Sequence, residues 1–153
     1  MIFKEAIDSV LIKNYFTFKG RATRSEYWWF VLFSSVSMMV ASIFEVIVVG
    51  TFQGERFDPD NFYPYLTLLY ICFLFIPTLS VSVRRFHDVG KTTKEAISIF
   101  VVMQVSGSIA QGFLDLPQSL ISMSWFFYIM SGLYIIYMTL KKSKPEEVKS
   151  NNL

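Results

Sequence analysis

The chain has 153 residues, enough for one domain, and 53% of them are hydrophobic while only 17% are charged. A soluble domain of this size rarely has so apolar a composition, whereas a lipid bilayer removes the need to cover the apolar surface. The formal net charge of +2 is too small to indicate nucleic-acid binding, and the single cysteine, Cys72, excludes a disulfide framework within the chain.

The first thirteen residues have the spacing of an amphipathic helix. One face of that helix collects six apolar residues, Ile2, Phe3, Ala6, Ile7, Val10 and Leu11. The segment has neither the long apolar core nor the small-residue cleavage site of a signal peptide. The pattern fits equally well a helix lying flat at the membrane interface and a helix packed on the rest of the protein.

Four apolar runs follow, at residues 28–49, 65–83, 96–113 and 120–140. A helix needs roughly 20 residues to cross the hydrocarbon core of a membrane. The third run is the weakest because it carries Gln104 and Gln111, so we expect the other helices to shield it from lipid. The sequence therefore predicts an all-α integral membrane domain over residues 1–142, with four transmembrane helices and an amphipathic interfacial N-terminal helix. Residues 143–153 form a polar, flexible tail.

The distribution of basic residues predicts the orientation. Thirteen of the fourteen Lys and Arg residues fall in segments 1–27, 84–95 and 141–153, and the remaining one, Arg56, lies in loop 50–64. Because Lys and Arg are enriched in loops that are not translocated, these three segments should be cytoplasmic. Both termini are then expected to be cytoplasmic.

The segment "RRFHDVG", residues 84–90, has a complete structural interpretation. Asp88 is spaced to pair with Arg84 or Arg85 on one helical face, and arginines at a helix C-terminus suit its partial negative charge. Gly90 can adopt the left-handed conformation that ends a helix. Downstream, Thr92 and Glu95 have the spacing of a capping box for the third run, as Thr23 and Glu26 do for the first.

The same segment can also be an anion site. Two arginines can hold a phosphate through paired hydrogen bonds, and Arg21 and Arg24 lie on the same predicted side of the membrane. Together they can form a basic pocket for an anionic lipid head group. His87 is a weak candidate for a catalytic base or metal ligand, because the chain has no second histidine to complete a metal site.

Two motifs give the chain a resemblance to a known family. "NYFTFKGRATRSEYWWF" and, some sixty residues later, "VSVRRFHDVGK" resemble the two signatures of the bacterial inner-membrane family catalogued as domain of unknown function 805. The resemblance covers about residues 13–140. It implies a membrane protein that spans the bilayer several times and whose function is unestablished, and it supplies no catalytic residues. Thr92-Thr93-Lys94 replaces the family's frequent Ser-Gly-Trp, and the Gly- and Asn-rich tail motif is absent.

If the bundle brings the two motifs together, we expect ion pairs between them. Glu26 would pair with Arg84 or Arg85, and Asp88 with Arg21 or Arg24. The lipid- or anion-binding candidates are therefore seven residues: Arg84, Arg85, His87, Asp88, Arg21, Arg24 and Glu26.

Glu45 is a carboxylate inside the first apolar run, about 6 Å before its end. It shares a helical face with Ser37 and Ala41, small residues that permit close packing. A carboxylate this shallow can snorkel to the outer interface, or it can couple transport to a proton or cation. Glu45 is therefore the candidate residue for transport.

The sequence favours a non-enzymatic membrane protein that binds anionic lipid or a partner through its basic cytoplasmic face. The alternative is a small transporter or channel component that uses Glu45 and the polar third run. No nucleophile with an adjacent base and no phosphate-loop glycines occur, so we expect no catalytic residues, cofactor or metal. The expected partners are membrane lipids, a second copy of the chain or another membrane protein, and not nucleic acid.

Overall fold

The structure, a computed structural model, describes residues 2–53, 65–111 and 116–144. This part of the chain consists of helices and connecting segments without strands, which confirms the all-α prediction. The helices are α1 (Phe3–Asp8), which continues into a π-helical turn at Ser9–Lys13, α2 (Arg24–Gln53), α3 (Tyr65–Asp88), α4 (Thr93–Ala110) and α5 (Gln118–Leu140). Most of the predicted outer loop 50–64 and of the tail 143–153 lies outside the described residues.

Three of these helices, α2, α3 and α5, are long and apolar enough to cross a membrane. The prediction of membrane-spanning helices is confirmed to this extent. The third apolar run does form a helix, α4, but α4 is not one of the three. Its eighteen residues include Lys94, Glu95 and Gln104, which lower its apolar content.

The predicted single domain contains two compact units. The first unit holds α1, the π-helical turn, α2 and the part of α3 up to Val81. The second unit holds residues 18–24, the last turns of α3 from Ser82, then α4 and α5.

In the first unit the N-terminal helix packs against α2. Ala6 and Val10 are completely buried, as expected for its apolar face. The Phe3 ring meets the Trp29 ring edge-on, with 5.6 Å between centroids. This packing is one of the two arrangements that the sequence allows, and the location of the helix at a membrane interface stays a prediction.

The second unit begins with a sharp turn between α3 and α4. Gly90 has a φ of +81°, as predicted for the residue that ends α3. Its N–H donates to the carbonyl of His87 at 2.9 Å, and the N–H of Lys91 donates to the carbonyl of Phe86 at 2.9 Å. This pair of bonds is the Schellman arrangement, which satisfies carbonyls at the end of a helix.

Helix α4 starts immediately after this turn with the predicted capping box. The hydroxyl of Thr92 accepts from the N–H of Glu95 at 3.2 Å, and the carboxylate of Glu95 accepts from the N–H of Thr92 at 2.8 Å. The box fixes the first turn of α4 directly beside the last turn of α3.

Helices α4 and α5 form an antiparallel hairpin. Residues from the second half of α4 and the first half of α5 line a shared apolar groove of about 460 Å³. A Cβ atom placed on Gly107 would lie 3.0 Å from the ring of Tyr128, so glycine permits the close approach of the two helices. The hairpin returns the chain to the end of α3, where the candidate site lies.

Candidate functional site

The "RRFHDVG" motif forms the last turn of α3 and the turn after it. Arg85 is fully buried and Arg84 is only 3% exposed. Phe86, between them and the turn, is 1% exposed and packs against the ring of Tyr134 on α5, with 6.3 Å between centroids. The two arginines are therefore interior residues of the second unit.

Arg85 contacts the end of α5. Its Nε donates to the carbonyl of Thr139 at 3.1 Å, and its Nη2 donates to the carbonyl of Lys141. Its Nη1 forms a salt bridge with the carboxylate of Asp88, one of the pairings that the sequence predicts. One guanidinium thus joins the ends of two helices and has an ionic partner that offsets the cost of burying its charge.

Asp88 also binds the segment that follows α5. Its carboxylate accepts from the hydroxyl of Ser143, and its main-chain carbonyl accepts from the N–H of Lys144 at 2.9 Å. The Lys144 side chain lies against Gly90, where a Cβ atom would come within 2.5 Å of the lysine Cδ. We call residues 141–144 the docked segment. Ser143 and Lys144 make defined bonds, although the sequence predicts a flexible tail from residue 143.

Two exposed arginines reach the same part of the chain, Arg21 from the segment before α2 and Arg24 from the first residue of α2. Arg21 Nη1 donates to the carbonyl of Lys144 at 3.2 Å, and Arg24 Nη1 donates to the carbonyl of Leu140 at 3.4 Å. Each bond uses one of the five N–H donors of a guanidinium. Together with Arg85 and Asp88, these arginines and the docked segment form what we call the arginine cluster.

The two signature motifs meet in this cluster through the main chain. The N–H of Ala22 donates to the carbonyl of Arg84 at 3.1 Å. His87 Nδ1 lies 3.2 Å from the carbonyl of Gly20, and its Nε2 lies 2.8 Å from the hydroxyl of Thr93. Because a carbonyl only accepts, Nδ1 carries the proton in this contact. His87 therefore connects the first motif to the start of α4.

The acidic and basic groups at the start of α4 neutralise each other. Lys91 Nζ lies 2.9 Å from the Glu95 carboxylate. The N–H of Thr92 and the ammonium of Lys91 lower the pKa of Glu95 to about 2. The carboxylate therefore remains charged at any physiological pH and keeps its partners.

Glu26 belongs to the first unit, where it is 4% exposed and accepts a hydrogen bond from the hydroxyl of Ser9 at 2.9 Å. Its proposed ion pairs with Arg84 or Arg85 stay predictions. In the second unit, Asp88 pairs with Arg85, while Arg21 and Arg24 donate to carbonyls of the chain after α5.

Glu45 has a structural partner in the first unit. It is 2% exposed, and its two carboxylate oxygens accept from the N–H groups of Leu66 and Thr67 at 2.7 and 2.8 Å. These are the second and third residues of α3, whose N–H groups have no partner inside the helix. Glu45 therefore caps α3 from the neighbouring helix and points into the protein.

Sequence reasoning missed several participants of the arginine cluster. Thr139, Leu140 and Lys141 contribute main-chain carbonyls, which every residue type possesses, so no sequence signal identifies them. The hydroxyl of Ser143 is the one side chain that a search for partners of Asp88 could have proposed. Within the described residues, no group of three or more His, Cys, Asp or Glu side chains is placed to hold a metal ion.

Comparisons with known proteins agree with the motifs. The sequence model of a family described as protein of unknown function (DUF805) matches residues 15–150. Inner membrane protein YhaI of Escherichia coli strain K12 is 33% identical over 91 residues, which cover 60% of this chain and 68% of that protein. Inner membrane protein YhaH of the same strain is 29% identical over 91 residues, 60% of this chain and 69% of that protein. No solved structure matches the chain.

Proposed function

The chain belongs to the DUF805 family of proteins of unknown function, and from that premise we propose that it is a bacterial inner-membrane protein whose basic cytoplasmic face binds the phosphates of anionic lipid head groups. We propose a binding role rather than an enzymatic one. His87 and Asp88 are the side chains at this face with the chemistry of a catalytic acid or base. Each of them makes two contacts with other parts of the protein that serve its structure.

The observation that carries the proposal is the imbalance of exposed charge in the second unit. The two carboxylates described in this unit both have partners within the protein. Asp88 is buried and forms a salt bridge with Arg85, and Glu95 forms the capping box of α4 and a salt bridge with Lys91. Seven basic side chains of the same unit are exposed: Lys19, Arg21, Arg24, Lys94, Lys141, Lys142 and Lys144. Among the described residues of this unit, the exposed basic side chains therefore outnumber the acidic ones.

Like charges held close together repel, and an anionic partner relieves that repulsion. The inner leaflet of a membrane supplies such a partner, since each Lys or Arg near an anionic surface contributes about 1 kcal/mol of attraction. Guanidinium groups add geometric specificity because they bind phosphate oxygens in pairs. Arg84 and Arg85, which the sequence offers as direct ligands, are buried, so we assign direct contact to the exposed Arg21 and Arg24.

The same geometry supports four spans with both termini in the cytoplasm. The C-terminal end of α5 contacts Arg85 in the last turn of α3. The same turn of α3 contacts the first residue of α4 through His87 and Thr93. Since α4 runs antiparallel to α5 over about 27 Å, we propose that it crosses the membrane together with α5. An even number of crossings places segments 19–24, 84–95 and 141–144 on one side, the side where the positive-inside rule puts basic residues.

The transporter alternative has less support. It requires Glu45 to face a path for ions, whereas both of its oxygens accept from the start of α3. Binding of a second copy of the chain or of another membrane protein at this face is the competing arrangement, and the experiment below separates it from lipid binding.

The test is native mass spectrometry of the protein released from mild detergent, with phosphatidylglycerol or zwitterionic phosphatidylethanolamine added. We expect the wild-type protein to retain phosphatidylglycerol preferentially. The Arg21→Gln/Arg24→Gln variant should lose most of this preference. The matched control is Lys4→Gln/Lys13→Gln, which removes the same charge from exposed residues of the first unit and should behave as wild type.

Equal retention of the two lipids by the wild-type protein would contradict the proposal. So would an equal loss of preference in both variants, because binding would then follow net charge and not the arginine cluster. A lipid-free dimer, or a co-purifying protein lost only in the Arg21→Gln/Arg24→Gln variant, would instead indicate a protein partner.

A further inference from the structure

We propose that the docked segment, residues 141–144, completes the head-group site, and that Arg85 and Asp88 are positioning residues that hold it there. The inference rests on the proposed lipid binding and adds how the site is assembled. Lys142 and Lys144 then act as ligands of the lipid phosphate beside Arg21 and Arg24.

The first step is that the docked segment is fixed by several independent bonds. The hydroxyl of Ser143 and the N–H of Lys144 bind Asp88, and the carbonyls of Lys141 and Lys144 accept from Arg85 and Arg21. Four polar groups within four consecutive residues therefore have named partners. A segment held this way has less freedom to move than one without such bonds.

The second step is that these bonds leave the lysine side chains outside. The docked segment is exposed at all four residues, although its main chain is bound. The Lys144 side chain lies along Gly90 as far as its Nζ, so a residue with a side chain at position 90 would displace it, and Lys144 is nevertheless exposed to solvent. The main chain is therefore used for docking and the lysine side chains remain available to a ligand.

The third step is that docking brings together charges from two distant segments. The guanidinium of Arg21 lies 3.2 Å from the carbonyl of Lys144, 123 residues later. Bringing these cations together costs repulsion and side-chain entropy before any ligand arrives. A site assembled in advance binds its ligand more tightly, because that cost has already been met by the fold.

The fourth step identifies what holds the segment. Arg85 and Asp88 are buried and pair with each other, so neither can contact a lipid head group. Apart from the bond from Arg85 Nε to Thr139 of α5, the hydrogen bonds that the two residues make to the chain after α3 go to Lys141, Ser143 and Lys144. They act on the ligand only through the docked segment, so Arg85 and Asp88 position the site without touching the lipid.

The experiment separates docking from charge by changing Ser143, which carries no charge and lies at the exposed edge. Ser143→Ala removes the bond to Asp88 and leaves every Lys and Arg in place, while Ser143→Thr keeps a hydroxyl. Hydrogen–deuterium exchange of the Lys144 amide reports docking directly, because this N–H binds the carbonyl of Asp88. Native mass spectrometry with phosphatidylglycerol and phosphatidylethanolamine reports lipid preference.

We expect Ser143→Ala to raise the exchange rate of the Lys144 amide about fivefold, the change that corresponds to one hydrogen bond of ordinary net strength. The preference for phosphatidylglycerol should fall by a similar factor, and Ser143→Thr should restore both quantities. An arm with inorganic phosphate distinguishes the ligand source. Displacement of the lipid by millimolar phosphate would show that the site takes the free ion as well as the head group.

Two outcomes of the Ser143→Ala experiment would overturn the inference, and a third leads to an Asp88→Ala variant that decides it. If exchange accelerates and lipid preference is unchanged, the docked segment is not part of the site, and lipid binding by Arg21 and Arg24 still stands. If preference rises, the segment covers the arginines instead of completing the site. If exchange is unchanged in Ser143→Ala, the hydroxyl does not dock the segment, and Asp88→Ala then tests the carboxylate itself. If an Asp88→Ala variant folds and keeps the wild-type exchange rate of the Lys144 amide and the wild-type lipid preference, Asp88 does not position the site.

Failure of the proposed function has a different signature. The wild-type protein would show no lipid preference, while Ser143→Ala would still accelerate exchange of the Lys144 amide. Docking would then be a purely structural feature of residues 141–144.

Discussion

A single buried arginine accounts for much of the arrangement at the end of α3. Burying a guanidinium removes its hydration, and that cost is offset only when the group has both an ionic partner and further hydrogen bonds. Arg85 has Asp88 and the carbonyls of Thr139 and Lys141. The two carbonyls carry the partial negative charge of the end of α5, which suits a cation.

Arg85→Ala should therefore destabilise the protein by roughly 3 to 5 kcal/mol, because it leaves the buried carboxylate of Asp88 without its cation. Arg24→Ala removes an exposed arginine and should cost under about 1 kcal/mol. The measurement is the free energy of unfolding in mixed micelles with increasing SDS. Equal losses in the two variants would mean that Arg85 does not secure the end of α5.

The helices differ in which residues form hydrogen bonds with the unpaired backbone groups at their ends. The ends around the α3–α4 turn use residues close in sequence: Gly90 ends α3, and Thr92 and Glu95 begin α4. The sequence predicts both, because a cap made by neighbouring residues has a fixed spacing. The start of α3 uses Glu45, twenty-one residues before Leu66 and on another helix, and no local pattern indicates that contact.

Glu45→Ala should lower the free energy of unfolding by about 3 kcal/mol, because two N–H groups at the start of α3 lose a charged acceptor. Glu45→Gln keeps one acceptor oxygen and should cost about half as much. The control Glu5→Gln makes the same change on an exposed side chain and should stay within about 0.5 kcal/mol of wild type. An ion flux that disappears in a Glu45→Gln variant of unchanged stability would favour the transporter instead.

At the scale of the whole molecule, the sequence predicts the positions of the helices along the chain more accurately than it predicts the contacts between them. Apolar runs and charge clusters locate the helices, since length and composition decide which segments a membrane accepts. The arginine cluster depends on main-chain carbonyls more than fifty residues away from Arg85. Such acceptors are the same for every residue type, so only the folded chain reveals them.

Topology can be measured with fusions to alkaline phosphatase, which is active only outside the cytoplasm. Fusions after Lys91 and after Lys144 should be inactive, whereas a fusion after Leu116, between α4 and α5, should be active, because in the proposed topology α4 crosses the membrane and α5 returns. Green fluorescent protein, fluorescent only in the cytoplasm, provides the reciprocal control at each site. An inactive fusion after Leu116 would mean that α4 does not cross.

The contact between Arg85 and the end of α5 has a consequence for synthesis. Thr139 and Lys141, which supply these carbonyls, are synthesised fifty-four and fifty-six residues after Arg85. Until then the guanidinium lacks two of its acceptors, and the end of α3 is incomplete. A chain whose translation stops before α5 therefore keeps an arginine that lacks two of its acceptors. We expect such unfinished copies to unfold more readily and to be degraded faster than finished ones.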